Sequence, residues 1–247
     1  MKKKLITRSV VPNLLTLGNI FSGFIAIICI SAGDFKLGTF YIVMAAVFDM
    51  LDGLVARLLH ATSEIGAELD SLCDAVSFGV APSFMLYKAY FEQFGELGIL
   101  FSSFPAFASV LRLARFNVQL TSFEDKLYFR GLPTPGGALT IISFVLFFLN
   151  ENYFGDFYTK ISAFAIVMIV SLAMVSTIKF DNFPRPTIKS FKTNPFIFIG
   201  VILAIIVGFA TNGESIFPTM FLYIIIATVR HLVLKISNMI TERKNLL

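Results

Sequence analysis

Residues 37–58 read LGTFYIVMAAVFDMLDGLVARL, an apolar run with no charge from Leu37 to Phe48, then two aspartates, Asp49 and Asp52, and a single cation, Arg57. As a helix rising 1.5 Å per residue, these 22 residues extend about 33 Å, enough to cross the ~30 Å hydrocarbon core of a bilayer. An acid in the middle of such a run costs about 2.5–3.5 kcal/mol on insertion scales, so a spanning helix that keeps two of them needs a reason.

Apolar stretches of spanning length recur on both sides, near residues 14–32, 70–90, 97–115, 133–150, 160–178, 195–211 and 216–235, which with 37–58 makes about eight spans. The composition agrees: 56% hydrophobic residues, 29 of them Phe, and only 15% charged, far more apolar than a soluble domain. The mean hydropathy is +0.80. The expected fold class is all-α, a polytopic transmembrane helix bundle forming a single membrane domain over residues 1–247.

With the N-terminus in the cytoplasm, Lys2, Lys3, Lys4, Arg8, Arg57, Arg112, Arg115, Lys126, Arg130, Lys179, Arg185, Lys189, Lys192, Arg230, Lys235, Arg243 and Lys244 all fall inside, and only Lys36, Lys88 and Lys160 outside. This bias places both termini in the cytoplasm of a multi-pass cell-membrane protein. The basic start followed by an apolar run imitates a secretory signal, but the run is too long and further spans follow. Leu5 to Val11 is expected to lie along the inner interface until Pro12 turns the chain into the first span. The net charge of +4 belongs to inner loops facing anionic membrane lipid, and no nucleic-acid partner is indicated. The two cysteines, Cys29 and Cys73, read as inert buried thiols.

Asp49 and Asp52 at i, i+3 share one helical face, and so do Asp70 and Asp74 at i, i+4 with Gly66 one turn before them. A short loop joins the second and third spans, so their cytoplasmic ends must meet as antiparallel neighbours. Four converging carboxylates repel one another, and a divalent cation removes the conflict. A donor set of carboxylate oxygens without His or Cys suits Mg²⁺ or Mn²⁺, and four acids can hold two ions, an arrangement suited to phosphate chemistry. Gly53, Ala56 and Gly66 leave room for a nucleotide against the helix backbone, and Arg57 offers a fixed cation. A cation transporter could also place acids in a membrane, but it leaves Gly53, Ala56 and Gly66 unexplained, and a non-catalytic scaffold would lose no function when the acids are removed.

The complete pattern is D-x2-D-G-x2-A-R-x8-G-x3-D-x3-D, formed by Asp49, Asp52, Gly53, Ala56, Arg57, Gly66, Asp70 and Asp74. It resembles the signature of the CDP-alcohol phosphatidyltransferases, position for position. The resemblance implies a helical membrane enzyme, a homodimer with a six-helix catalytic core, that cleaves a CDP-linked lipid or alcohol and releases CMP. On that basis Asp49, Asp52, Asp70 and Asp74 would be metal ligands, Asp74 also the general base. Asp52, Gly53, Ala56, Arg57, Ser63 and Gly66 would line the CDP-diacylglycerol site. Pro12-Asn13-Leu-Leu-Thr16-Leu-Gly-Asn19 resembles the segment that closes over the nucleotide, which adds Asn13 and Thr16.

Leu111 to Asn117, Phe129 to Gly137 and Met174 to Phe180 are similar to segments of the bacterial and archaeal phosphatidylserine synthase branch. That likeness implies phosphatidyl transfer to L-serine, with a catalytic core over 1–190 carrying the motif at 49–74, and two additional C-terminal spans over 195–247. Arg112 and Arg115 could form a fork for the serine carboxylate and Asn117 could orient it; equally, the arginines could be positive-inside anchors. Glycerol-3-phosphate, inositol phosphate or choline are the alternative acceptors. Gly131 to Gly137 could be a catalytic loop offering backbone N–H groups to phosphate, but reads better as a tight entry to the fifth span, with Gly136 and Gly137 allowing close helix packing.

Overall fold

The computed structural model describes residues 2–61, 63–121, 129–149, 155–180, 207, 208 and 210–245. Among the described residues the long helices are α1 (Lys2–Ser31), α2 (Phe35–Leu58), α3 (Glu64–Ala89), α4 (Gly95–Thr121), α5 (Thr134–Leu149), α6 (Gly155–Val175) and α7 (Ile216–Asn245). Two strands of two residues each, β1 (Phe129–Arg130) and β2 (Lys179–Phe180), pair antiparallel where the entry to α5 meets the exit of α6.

Among the described residues, six helices are long and apolar enough to cross a membrane, all but α5, which is apolar but shorter. The expectation of about eight spans is therefore matched at seven helices, six of full length; most of the stretch 195–211 lies outside the described residues, as do Lys126, Glu151, Arg185, Lys189 and Lys192. The protein is a multi-pass helical membrane protein.

Two of the boundaries that differ from those expected bear on the site. Helix α3 starts at Glu64 rather than near residue 70, because Ser63 caps it: its hydroxyl accepts from the Gly66 amide at 3.0 Å. The polar first turn, with Glu64 and Glu68, hid that start from a hydropathy reading. Pro12 does not separate an interfacial segment from the first span, since α1 runs unbroken from Lys2 with Pro12 inside it. A proline removes one backbone donor, and a helix this long tolerates that loss.

The buried core joins Ala26 and Ile30 of α1, Ile42 and Ala45 of α2, Phe78 and Met85 of α3, Ile141 and Val145 of α5, and Val167 and Met174 of α6. Small residues bring helices together. A Cβ at Gly23 would lie 2.9 Å from the Ser77 Cα, so α1 and α3 touch almost backbone to backbone. Gly137 seats α5 on Val170 and Met174 of α6, whereas Gly136 faces only Leu132 of its own entry loop. Gly131 has φ +87°, and a Cβ there would run into the Met174 carbonyl. Exposed Leu14, Phe21, Phe24 and Ile28 on α1 and Leu222, Ile226, Val229 and Val233 on α7 present apolar faces outward.

Candidate active site

Helix arithmetic brings the acids together. Asp52 lies six residues before the end of α2 at Leu58, Asp70 six after the start of α3 at Glu64, and Thr16 six after Val10, where the spanning part of α1 begins. At 1.5 Å per residue all three stand about 9 Å in from the helix ends. Asp49, Asp74 and Asn19 lie nine or ten residues in, on a second level about 14 Å deep.

Helix α1 supplies a polar stripe that meets both levels. The Thr16 hydroxyl donates to Asp52 Oδ2 at 2.7 Å, and the Asn19 amide donates to Asp74 Oδ1 at 3.0 Å. All four side chains are buried. At the shallow end, Asn13 Oδ1 lies beside Gly66, where a Cβ would come 3.8 Å from it and 3.0 Å from Ser63 Oγ. Asn13, Ser63 and Gly66 thus gather at the N-terminus of α3, whose positive dipole end suits an anion. Gly53 is open on its free side apart from the Arg57 guanidinium, which a Cβ would meet at 3.6 Å. Ala56 is half-buried one turn along the same helix.

Oxygens of Asp49, Asp70 and Asp74 all lie within 4.8 Å of one another. Unit charges at that separation repel by about 3.5 kcal/mol per pair at an effective dielectric of ~20. Asp49 and Asp70 come within hydrogen-bonding reach of each other, yet Asp70 Oδ1 is buried with no hydrogen-bond partner among the described residues. Crowded carboxylates with an orphaned oxygen fit a bound hard cation, and an all-oxygen donor set fits Mg²⁺ or Mn²⁺ better than zinc. Asp52 stands beside this trio, held to α1 and near enough to Arg57 for their charges to interact.

The three residues expected to grip serine part company. Arg112 is buried on α4 and close enough to Asp74 for charge interaction. Arg115 instead reaches the C-terminus of α6, donating to the carbonyls of Val175 at 2.8 Å, Ser176 at 3.2 Å and Met174 at 3.3 Å. Asn117 accepts from the Ser71 hydroxyl at 3.0 Å and donates to Glu68 at 3.2 Å, tying α4 to the flank of α3. Cys73 is buried and neither cysteine is in a disulfide. Asn19 was not among the residues singled out from sequence. Its signal was an amide in a membrane span, three residues beyond Thr16 on the same helical face.

A sequence profile of the CDP-alcohol phosphatidyltransferases matches residues 9–180, which takes in α1 to α6 and every acid described above. The chain belongs to the CDP-alcohol phosphatidyltransferase family. It is 33% identical over 234 residues to the CDP-diacylglycerol–serine O-phosphatidyltransferase of Helicobacter pylori, covering 95% of this chain and 96% of that one. It is 35% identical over 185 residues to the archaetidylserine synthase of Methanothermobacter thermautotrophicus, 73% of each chain. It is 31% identical to the Bacillus subtilis CDP-diacylglycerol–serine O-phosphatidyltransferase over 74% of this chain and 96% of that enzyme. Membership in a family of phosphotransferases makes the protein an enzyme and sets aside the transporter and scaffold readings of the acids. The family uses divalent metal, and Asp49, Asp70 and Asp74 form a group able to hold it.

Proposed function

We propose that the protein transfers the phosphatidyl group of CDP-diacylglycerol to the hydroxyl of L-serine, giving phosphatidylserine and CMP. The convergence of Asp49, Asp70 and Asp74 on helices that also carry Gly53, whose free side meets only the Arg57 guanidinium, carries the diphosphate part of this reading. Serine transfer by the relatives that align along most of the chain, both CDP-diacylglycerol–serine O-phosphatidyltransferases, supports serine as acceptor.

Asn13, Thr16, Asp52, Gly53, Ala56, Arg57, Ser63 and Gly66 would hold the cytidine diphosphate, with the α3 N-terminus and Arg57 facing its charge. Two Mg²⁺ or Mn²⁺ ions held by Asp49, Asp52, Asp70 and Asp74 would neutralise the diphosphate and the departing phosphate. Arg112 would take the serine carboxylate next to Asp74, fixing the hydroxyl in line with the lipid-side phosphorus. Asp74 accepts the hydroxyl proton as the serine oxygen forms its bond to phosphorus. The anhydride bond breaks, its electron pair stays with the CMP phosphate, and Arg57 steadies that charge. No covalent enzyme intermediate is needed.

By the same reading residues 1–190 form the catalytic core, residues 195–247 supply two further spans, and the enzyme works as a homodimer. It sits in the cell membrane among lipids, with both termini and the active site on the cytoplasmic side, where lipid donor and water-soluble acceptor meet. The positive-inside bias supports that orientation. Purified protein reconstituted with CDP-diacylglycerol, Mn²⁺ and L-serine should release CMP in a serine-dependent way, more than with glycerol-3-phosphate, inositol phosphate or choline. Wild-type turnover in Asp74→Asn would remove Asp74 as the base.

A further inference from the structure

Asn19 is completely buried, with 0% of its surface exposed, inside a membrane span. Its Nδ2 donates to Asp74 Oδ1 at 3.0 Å, while its own Oδ1 has no hydrogen-bond partner among the described residues. A buried amide with an unmet acceptor costs about 1–3 kcal/mol, a penalty that an apolar residue of the same size would avoid. The amide is therefore explained by the donor it presents. The reverse orientation would set its oxygen against the carboxylate, acceptor against acceptor.

The backbone beneath Asn19 is fixed as well. Directly after Asp74, α3 passes through a π-helical turn, Ala75–Val80, and Ser77 in that turn donates its hydroxyl to the Asn19 carbonyl at 3.1 Å. One turn further along α1, Gly23 rests on Ser77. Asp74 and the residue that holds it are thus clamped by the same stretch of α3.

We propose that Asn19 is a positioning residue: its amide fixes one oxygen of Asp74, and so aims the other at the metal cluster and the acceptor hydroxyl. This rests on the function proposed above. A carboxylate free to rotate would divide its time between productive and unproductive orientations, and loss of an outer partner of a metal-binding side chain commonly costs 10–100-fold in affinity or activity.

The test uses the full-length protein with Asn19→Leu, which keeps the volume and removes the donor, and Asn19→Ala, which removes both. Two quantities are read: CMP-release kinetics, and Mn²⁺ affinity of the metal-free protein without substrate, from the electron paramagnetic resonance signal of free Mn²⁺. Both variants should lose 10-fold or more in kcat, keep their KM for CDP-diacylglycerol within about threefold, and bind Mn²⁺ about 10-fold more weakly. A packing role predicts otherwise: near-normal Leu, impaired Ala, and losses that follow the melting temperature. That pattern, or unchanged Mn²⁺ affinity with unchanged kcat, overturns the proposal. If Leu does not yield folded protein, Asn19→Val also lacks a donor in a smaller side chain, and wild-type kcat in that variant would be equally decisive against it. If the wild type releases no CMP with any alcohol, the proposed reaction fails, and the Mn²⁺ titration still judges Asn19.

Discussion

Replacing Thr16 with valine removes one hydroxyl and almost no volume, which isolates a single bond at the site. Thr16 Oγ1 lies 2.7 Å from Asp52 Oδ2 and 3.1 Å from the Pro12 carbonyl. A hydroxyl has one hydrogen, and the shorter contact to a charged acceptor takes it. Thr16 and Asp52 are only 4% and 6% exposed, so water cannot replace the lost donor. A hydrogen bond to a charged group is worth about 1.5–3 kcal/mol, and each 1.4 kcal/mol is tenfold. Thr16→Val should therefore lower kcat/KM for CDP-diacylglycerol by about 10- to 100-fold, measured as CMP release in mixed micelles at saturating serine and Mn²⁺. Thr16→Ser, which keeps the hydroxyl, should recover most of that loss. Turnover within twofold of wild type in Thr16→Val would refute the argument that α1 holds Asp52 in place for the reaction.

Chelation of divalent metal should abolish CMP release, Mn²⁺ should restore it, and Mn²⁺ should raise the melting temperature, since a ligand that relieves repulsion in the folded state stabilises it. Arg115→Lys can keep no more than part of the three-carbonyl contact at the end of α6, so its melting temperature should fall while its serine KM stays within about threefold. Arg112→Lys should do the opposite, raising serine KM about tenfold or more with little change in melting temperature. Gly131→Ala puts a Cβ onto the Met174 carbonyl at a positive φ, so it should yield little folded protein in detergent by size-exclusion chromatography.

Hydropathy made the bundle legible because each span is a long run with one composition, and the positions of α1, α2, α4 and α6 follow from it directly. It placed the start of α3 late, because a capped polar turn such as Ser63 to Glu68 carries no hydropathy signal, only a cap signal. The acids were legible for a related reason: each was an anomaly in an apolar run, and regular spacing put each pair on one face. The fate of Arg112 and Arg115 was not. Three residues apart, they look alike in sequence, and only the exit of α6, brought to α4 by long-range packing, takes Arg115 for its carbonyls. Asn19 escaped notice because its partner lies 55 residues away on another helix, a pairing no local pattern encodes.

The hydrogen bonds of α1 also divide the four aspartates into two kinds. Asp52 and Asp74, both nearly fully buried, each receive a donor from α1. Among the described residues, α1 gives no hydrogen bond to Asp49 or Asp70, which are half-buried and face one another. A bundle with all four acids unsupported would lose several kcal/mol to desolvation and repulsion before any ligand arrived. Satisfying the two most buried acids, Asp52 and Asp74, from a neighbouring helix lets the protein fold ahead of its ligands. The strain that remains is concentrated between Asp49 and Asp70, where a cation gains most by binding. It follows that removing the carboxylate of Asp49 or Asp70 should relieve repulsion in the metal-free protein and raise its melting temperature, while removing that of Asp52 or Asp74 strands a donor on α1 and should not. Melting curves of Asp70→Asn and Asp52→Leu without metal would read this directly, and equal shifts of the same sign would contradict the division.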